Sequence, residues 1–164
     1  MGIDLSSYKD ARELFGAVRD ASVEADRTLR TLRRMEAAEG VRAQSYEARG
    51  RSGHRSDATA RTDARIDFED RMRERIEEDY AVIDLGTQVI YGREPGKGGV
   101  DALLDSQHAD AMWWRFCAAE SWRVVADRVG LSESWCKLAC EAAMDQVDAY
   151  GIRAMLDGLW SATE

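Results

Sequence analysis

Three places in the chain have residue types that could do chemistry: Cys136 and Cys140 one helical turn apart, the carboxylate run Glu77-Glu78-Asp79, and residues 92–97, which read GREPGK. Each falls short of the pattern its chemistry needs. A closed zinc site takes four ligands, and His54 and His108 sit at spacings that do not complete one, so the two cysteines read as small buried thiols. A phosphate loop has four residues between its glycines and a Ser or Thr after its lysine. Here Gly92 and Gly96 enclose Arg93, Glu94 and Pro95 only, and Gly98 follows Lys97. The acidic run reads as a solvated helix face. No Ser, Cys or His has a recognisable base partner in sequence. The expectation is a protein that is not an enzyme and has neither metal nor cofactor.

The remaining chemistry is recognition. Residues 120–147, ESWRVVADRVGLSESWCKLACEAAMDQV, have the spacing of a helix-turn-helix. Trp122, Val125 and Ala126 form the apolar side of a short first helix, Gly130-Leu131 makes a turn, and Ser132 is placed to cap a second helix. That helix turns Cys136, Ala139, Ala143, Met144 and Val147 inward. Glu133, Ser134, Trp135, Lys137, Leu138 and Glu141 are left outward or at the rim. A helix of this kind fits a major groove about 12 Å wide. Ser132 can meet a phosphate through the helix N-terminus, and Ser134 and Lys137 are the best base or phosphate contacts. Trp135 could touch a thymine methyl or sugar edge, although it almost equally suits a core position, and Glu133 and Glu141 could accept from cytosine amino groups or simply face solvent. Arg123 and Arg128 on the first helix are backbone-contact candidates, with plain salt bridging as the alternative.

Charge complicates this reading. Residues 100–164 hold 5 basic and 11 acidic groups, a net of −6, out of −8 for the whole chain. A domain that holds a duplex alone normally presents a basic face. The densest positive charge lies elsewhere, in the ARGRSGHRSD segment, where Arg49, Arg51, His54, Arg55 and Arg61 could form a phosphate-binding loop. A solvated connector is the plain alternative.

The elements that must position these residues are helical. The 164 residues include one proline and are rich in Ala, Arg, Glu and Asp. Leu14, Val18, Ala21, Ala25, Leu29, Leu32 and Met35 recur at helical steps, which predicts an amphipathic helix from about Ile3 to Glu39, with Gly40 as its stop. Residues 48–62 read as a loop, with Ser56 or Asp57 capping the next helix. Phe68, Met72, Ile76, Tyr80, Ile83, Thr87 and Ile90 predict that second long helix from about Ala60 to Tyr91. Two such stripes bury each other as an antiparallel hairpin or recruit a second copy. GREPGKGG, residues 92–99, reads as a glycine-rich linker. A helix from Val100 to about Ala118 comes after it, with Leu103, Leu104, Ala111, Met112, Trp114 and Phe116 as its apolar positions. Trp113 and Trp114 point about 100° apart on a helix, which makes Trp113 a candidate for a partner surface.

The stretch from Asp105 to Val147 resembles region 4 of bacterial sigma factors. It is closer still to the sigma-like phage late-gene activators of the ArpU and RinA type. The likeness rests on the aromatic-arginine residues Ala111 to Phe116 followed by ESWRVVADRVGLSESW, and on the SGHRSD loop leading into a long helix. It covers about residues 55–164, and departs from the pattern in its acidity and in the GREPGKGG joint. It implies a helical N-terminal half and a C-terminal helix-turn-helix that regulates transcription.

Together these readings give an all-α protein in three parts: a helical hairpin at 1–91, a linker at 92–99 and a sigma-like helix-turn-helix domain at 100–164. The expected function is phage or prophage transcriptional regulation by binding double-stranded DNA, with the hairpin serving homodimerisation or contact with RNA polymerase. A non-enzymatic module that docks on polymerase or a host factor is the alternative. A DNA-packaging adaptor is a third, although such subunits usually place the helix-turn-helix first. Three cysteines without short-loop spacing and no apolar run of membrane length predict a cytoplasmic, membrane-free protein.

Overall fold

The computed structural model describes residues 2–47 and 55–158, and these are helical without a named strand. A short 3₁₀ turn at Leu5–Ser7 precedes α1 (Ala11–Glu47) and α2 (Arg55–Tyr91). Then come α3 (Gly99–Leu103), α4 (Ser106–Met112), a wider π turn at Trp113–Cys117, α5 (Trp122–Val129), α6 (Glu133–Tyr150) and α7 (Ile152–Asp157). Two compact units result: residues 1–23 with 79–164, and residues 24–78.

The two long helices pack together, but their bounds differ from the sequence reading. Gly40 does not stop α1, which runs on to Glu47 with Gly40 exposed in its interior. One glycine costs a helix only about 1 kcal/mol, less than the flanking Glu, Ala and Arg positions recover. α2 starts at Arg55, so the expected loop is helical from that residue, and Asp57 lies in the first turn, where its charge suits the helix dipole.

The first unit buries one continuous core. Ala11, Leu14, Phe15 and Val18 of α1 and Leu85, Val89 and Ile90 of α2 meet Met112, Val125, Cys136, Ala143, Met155 and Leu156. Residues 92–99, expected as a linker, lie inside this unit; Arg93 to Lys97 are exposed, while the segment's end packs. The Arg93 N–H donates to the Leu156 carbonyl at 3.1 Å, and Gly98 and Gly99 are buried. A Cβ on Gly98 would stand 2.5 Å from the Met155 carbonyl, at a φ of +84° that favours glycine. These glycines permit close backbone packing at the end of the glycine-rich linker.

The single helix expected over Val100–Ala118 is broken. Leu104 leaves helical geometry at ψ −89°, and it is exposed rather than buried. The Asp105 carboxylate restarts the helix by accepting from the His108 N–H at 2.8 Å. The chain then widens into the π turn over the aromatic stretch Trp113–Cys117.

The second unit has a smaller core of Leu32, Met72 and Ile76, with Leu29 and Met35 half-buried against it. Arg65 pairs with Glu39 and, at 3.2 Å, with Glu69. The α2 stripe is only partly buried: Phe68 and Tyr80 are each 49% exposed, whereas Leu85 and Val89, outside the expected row, are buried.

Candidate nucleic-acid interface

α5 and α6 are defined at both ends by local chemistry. The Ser121 hydroxyl accepts from the Val124 N–H, and Gly130 ends α5 in the left-handed conformation at φ 78°. The Gly130 N–H donates to the Ala126 carbonyl at 2.8 Å, which closes the turn. Ser132 then caps α6, its hydroxyl accepting from the Trp135 N–H at 3.1 Å. Cys136, Ala139, Cys140, Ala143, Met144 and Val147 face the core. On the opposite side Glu133, Ser134, Lys137, Leu138 and Glu141 are exposed, and Leu138 is 71% open to solvent.

Trp135 does not share this outward row. It is half-buried against the core, its ring edge-on to His108 at 5.1 Å between centroids. His108 is itself held by Asp105, whose oxygen lies 2.7 Å from its Nδ1. The backbone and ring bonds from His108 keep the Asp105 carboxyl below its usual range. Of the two roles open to Trp135, the structure provides the packing one. Trp113 and Trp114 are likewise half-buried against the core and edge-on to each other at 5.1 Å.

Part of the acidic balance of residues 100–164 is paired with basic and polar groups. Arg12 on α1 pairs with Glu141, with Asp145 at 3.3 Å and with Asp148 at 3.8 Å, which gathers the carboxylate row of α6 around one guanidinium. The Ala11 N–H donates to the Asp148 carboxylate at 2.7 Å, so the start of α1 is tied to the same row. Arg93 holds Asp157 at 2.8 Å, and the Tyr91 hydroxyl donates to Asp110 at 2.7 Å. Burial of the phenol, and then this bond, push the Tyr91 pKa upward.

The cations near α5 are arranged differently. The Arg115 guanidinium lies 4.3 Å from the centre of the Trp122 ring, and the Lys137 ammonium 6.0 Å from it. Arg128 lies over Trp114 at 5.1 Å, and Arg123 is exposed. Among the described residues none of these four makes an ion pair with a carboxylate. Among the described residues, salt bridging, the alternative for Arg123 and Arg128, is not seen.

Sequence reasoning did not single out Arg115, which the π turn carries to the Trp122 ring. Its one visible signal was its place inside the aromatic run WWRFC. Of the basic segment, Arg49, Arg51 and His54 lie outside the described residues, and Arg55 is described only as the start of α2. Arg61 is exposed on α2. Cys136 and Cys140 are both buried thiols, and among the described residues no group of three or more His, Cys, Asp or Glu could hold a metal ion. No described helix is long and apolar enough to cross a membrane. No protein-family model, curated protein or solved structure matches the chain.

Proposed function

We propose that the protein is a phage- or prophage-type transcriptional regulator of the sigma-region-4-like class, and that it binds duplex DNA. In this reading α5 and α6 act as a helix-turn-helix and α6 enters the major groove. The observation that carries it is the outward row of α6: Ser134, Lys137 and Leu138 stand exposed on a doubly capped helix whose other face is buried. Three side chains projecting from the first turns of a rigid helix are what base-edge readout requires. The pairing of α6's carboxylates by Arg12 supports it further, because it lowers the repulsion that a net charge of −6 implies. Ser134 and Lys137 would meet bases or phosphates, Leu138 a thymine methyl, and Arg123 and Ser132 the backbone. Trp135 would support the helix from behind. Such a role belongs in the cytoplasm, with the hairpin of α1 and α2 contacting RNA polymerase or a second copy.

One feature favours a second reading. Leu138 between Glu133 and Glu141 is an apolar centre with an acidic rim, which also suits a basic protein partner such as polymerase. Selection from a genomic fragment library at low salt separates the two. DNA binding predicts retained fragments over random duplex, and a Lys137→Ala variant with weaker binding and a salt slope reduced by about one. No enrichment, with Lys137→Ala indistinguishable from the parent, would leave the protein-binding reading.

A further inference from the structure

Arg19 of α1 and Arg115 of the π turn converge on one atom. Arg19 Nη1 donates to the Glu120 carbonyl at 3.2 Å and to the Arg115 carbonyl at 2.7 Å, while Arg115 Nη1 donates to the same Glu120 oxygen at 3.0 Å. Ser22 fastens the neighbouring stretch of chain by donating to the Cys117 carbonyl at 2.7 Å. Two like charges are thus held side by side and half-buried, and among the described residues their hydrogen bonds go to carbonyls. Neither guanidinium has a carboxylate within ion-pair distance among the described residues. Burial, and then the charge of Arg19, lower the pKa of Arg115, as an uncompensated cation pair should.

Carbonyl oxygens neutralise no charge, and each guanidinium carries five N–H donors, of which only those on Nη1 are engaged among the described residues. Arg115 also rests on the Trp122 ring, which Lys137 approaches from α6. The π turn is the device that builds this group, in keeping with the tendency of such turns to occur at functional sites. A compact anion with several acceptor oxygens completes it best, because planar guanidinium forks match phosphate geometry and a lysine adds a point charge.

We propose that Arg19 and Arg115, joined through the Glu120 carbonyl, and Lys137, which shares the Trp122 ring with Arg115, bind one phosphate group. Resting on the DNA-binding reading, that group is a phosphodiester of the duplex beside α6. It supplies affinity without sequence preference, and Arg19 lends the hairpin a direct part in DNA binding.

The test uses the full chain and two probes. With pyrophosphate against chloride at equal ionic strength, the parent protein gains thermal stability, whereas Arg19→Gln and Arg115→Gln lose that gain. With duplex fragments, each substitution lowers the salt slope by about one and leaves the order of preferred fragments unchanged. Circular dichroism verifies folding, and Arg19→Lys, which keeps the charge but loses the fork, retains a weakened response. A pyrophosphate gain undiminished in both glutamine variants overturns the site. Loss of that gain with no duplex bound by any form upholds the phosphate site and removes the DNA reading. Parental salt slopes in both glutamine variants keep DNA binding and overturn the backbone contact.

Discussion

Gly86 of α2 lies directly on Val18 of α1: a Cβ added at Gly86 would stand 2.8 Å from Val18 Cγ2 and 2.9 Å from Cγ1. Valine has no long flexible end to move aside, so the helices can approach this closely only over a glycine. Gly86→Val should therefore destabilise the protein by about 1–3 kcal/mol through overpacking. Gly16 and Gly40 are helical, and a Cβ added at either would have nothing within 4 Å. Gly16→Ala and Gly40→Ala should each stabilise by about 0.5–1 kcal/mol. Urea-unfolding midpoints of the three variants check the opposite signs.

Asp148 ties the last turns of α6 to the first residue of α1 through the Ala11 N–H. Asp148→Ala should cost about 1 kcal/mol, the net value of a hydrogen bond that leaves a half-buried donor unmet. Arg12 is half exposed, so its ion pairs are screened by salt. Thermal melts of Arg12→Ala should show a deficit at low salt that fades at high salt, whereas the Asp148→Ala deficit should persist.

The unit formed by residues 24–78 rests on Leu32, Met72 and Ile76. Ile76→Ala should remove about 2–4 kcal/mol from that small core. Amide hydrogen exchange should then accelerate across residues 24–78 while residues 100–157 keep their protection. Uniform acceleration over both units would show that they unfold as one.

Cys117 and Cys140 are buried thiols whose pKa values are pushed up, by burial first, to about 11 and about 12. Unfolding returns them to 9.0, so the folded state is favoured by their neutrality below pH 9.0. That contribution is lost as pH rises through the folded values. The protein should weaken between pH 9.0 and about 12, and a Cys117→Ala/Cys140→Ala variant should lose stability less steeply over that range. Denaturant midpoints at several alkaline pH values give the two slopes. The same burial should keep both thiols from reacting with a disulfide reagent until the chain unfolds.

The sequence reading and the structure agree where the controlling forces are local. Ser132 as a cap, Gly130 as the turn, and Cys136, Ala139 and Ala143 as the inward face all follow from helical period and the conformational freedom of glycine. The long helices are legible from their stripes, but their ends are not. Gly40 reads as a stop, yet it costs less than the helix on either side contributes. Residues 92–99 end α2 as their glycines and proline suggest, but composition alone does not show that Gly98 also packs closely against α7 and Gly99 against the end of α2.

By itself, then, the sequence determined an all-helical chain, the stripes of its two long helices and the faces of α5 and α6. These depend on residues within a few turns of each other, whereas the stripes alone left open whether the long helices pair with each other or with a second copy. Only the tertiary structure decided which charges are neutralised and which are left unpaired. Ala11 meets Asp148 across 137 positions and Arg19 meets the Arg115 carbonyl across 96. No periodicity encodes such meetings, because they exist only after the core has brought α1 against α6 and the π turn. The net charge of residues 100–164 therefore does not by itself describe their surface. Three of its carboxylates, Glu141, Asp145 and Asp148, are gathered by Arg12, and two of its cations, Arg115 and Lys137, lie near the Trp122 ring without carboxylate partners among the described residues.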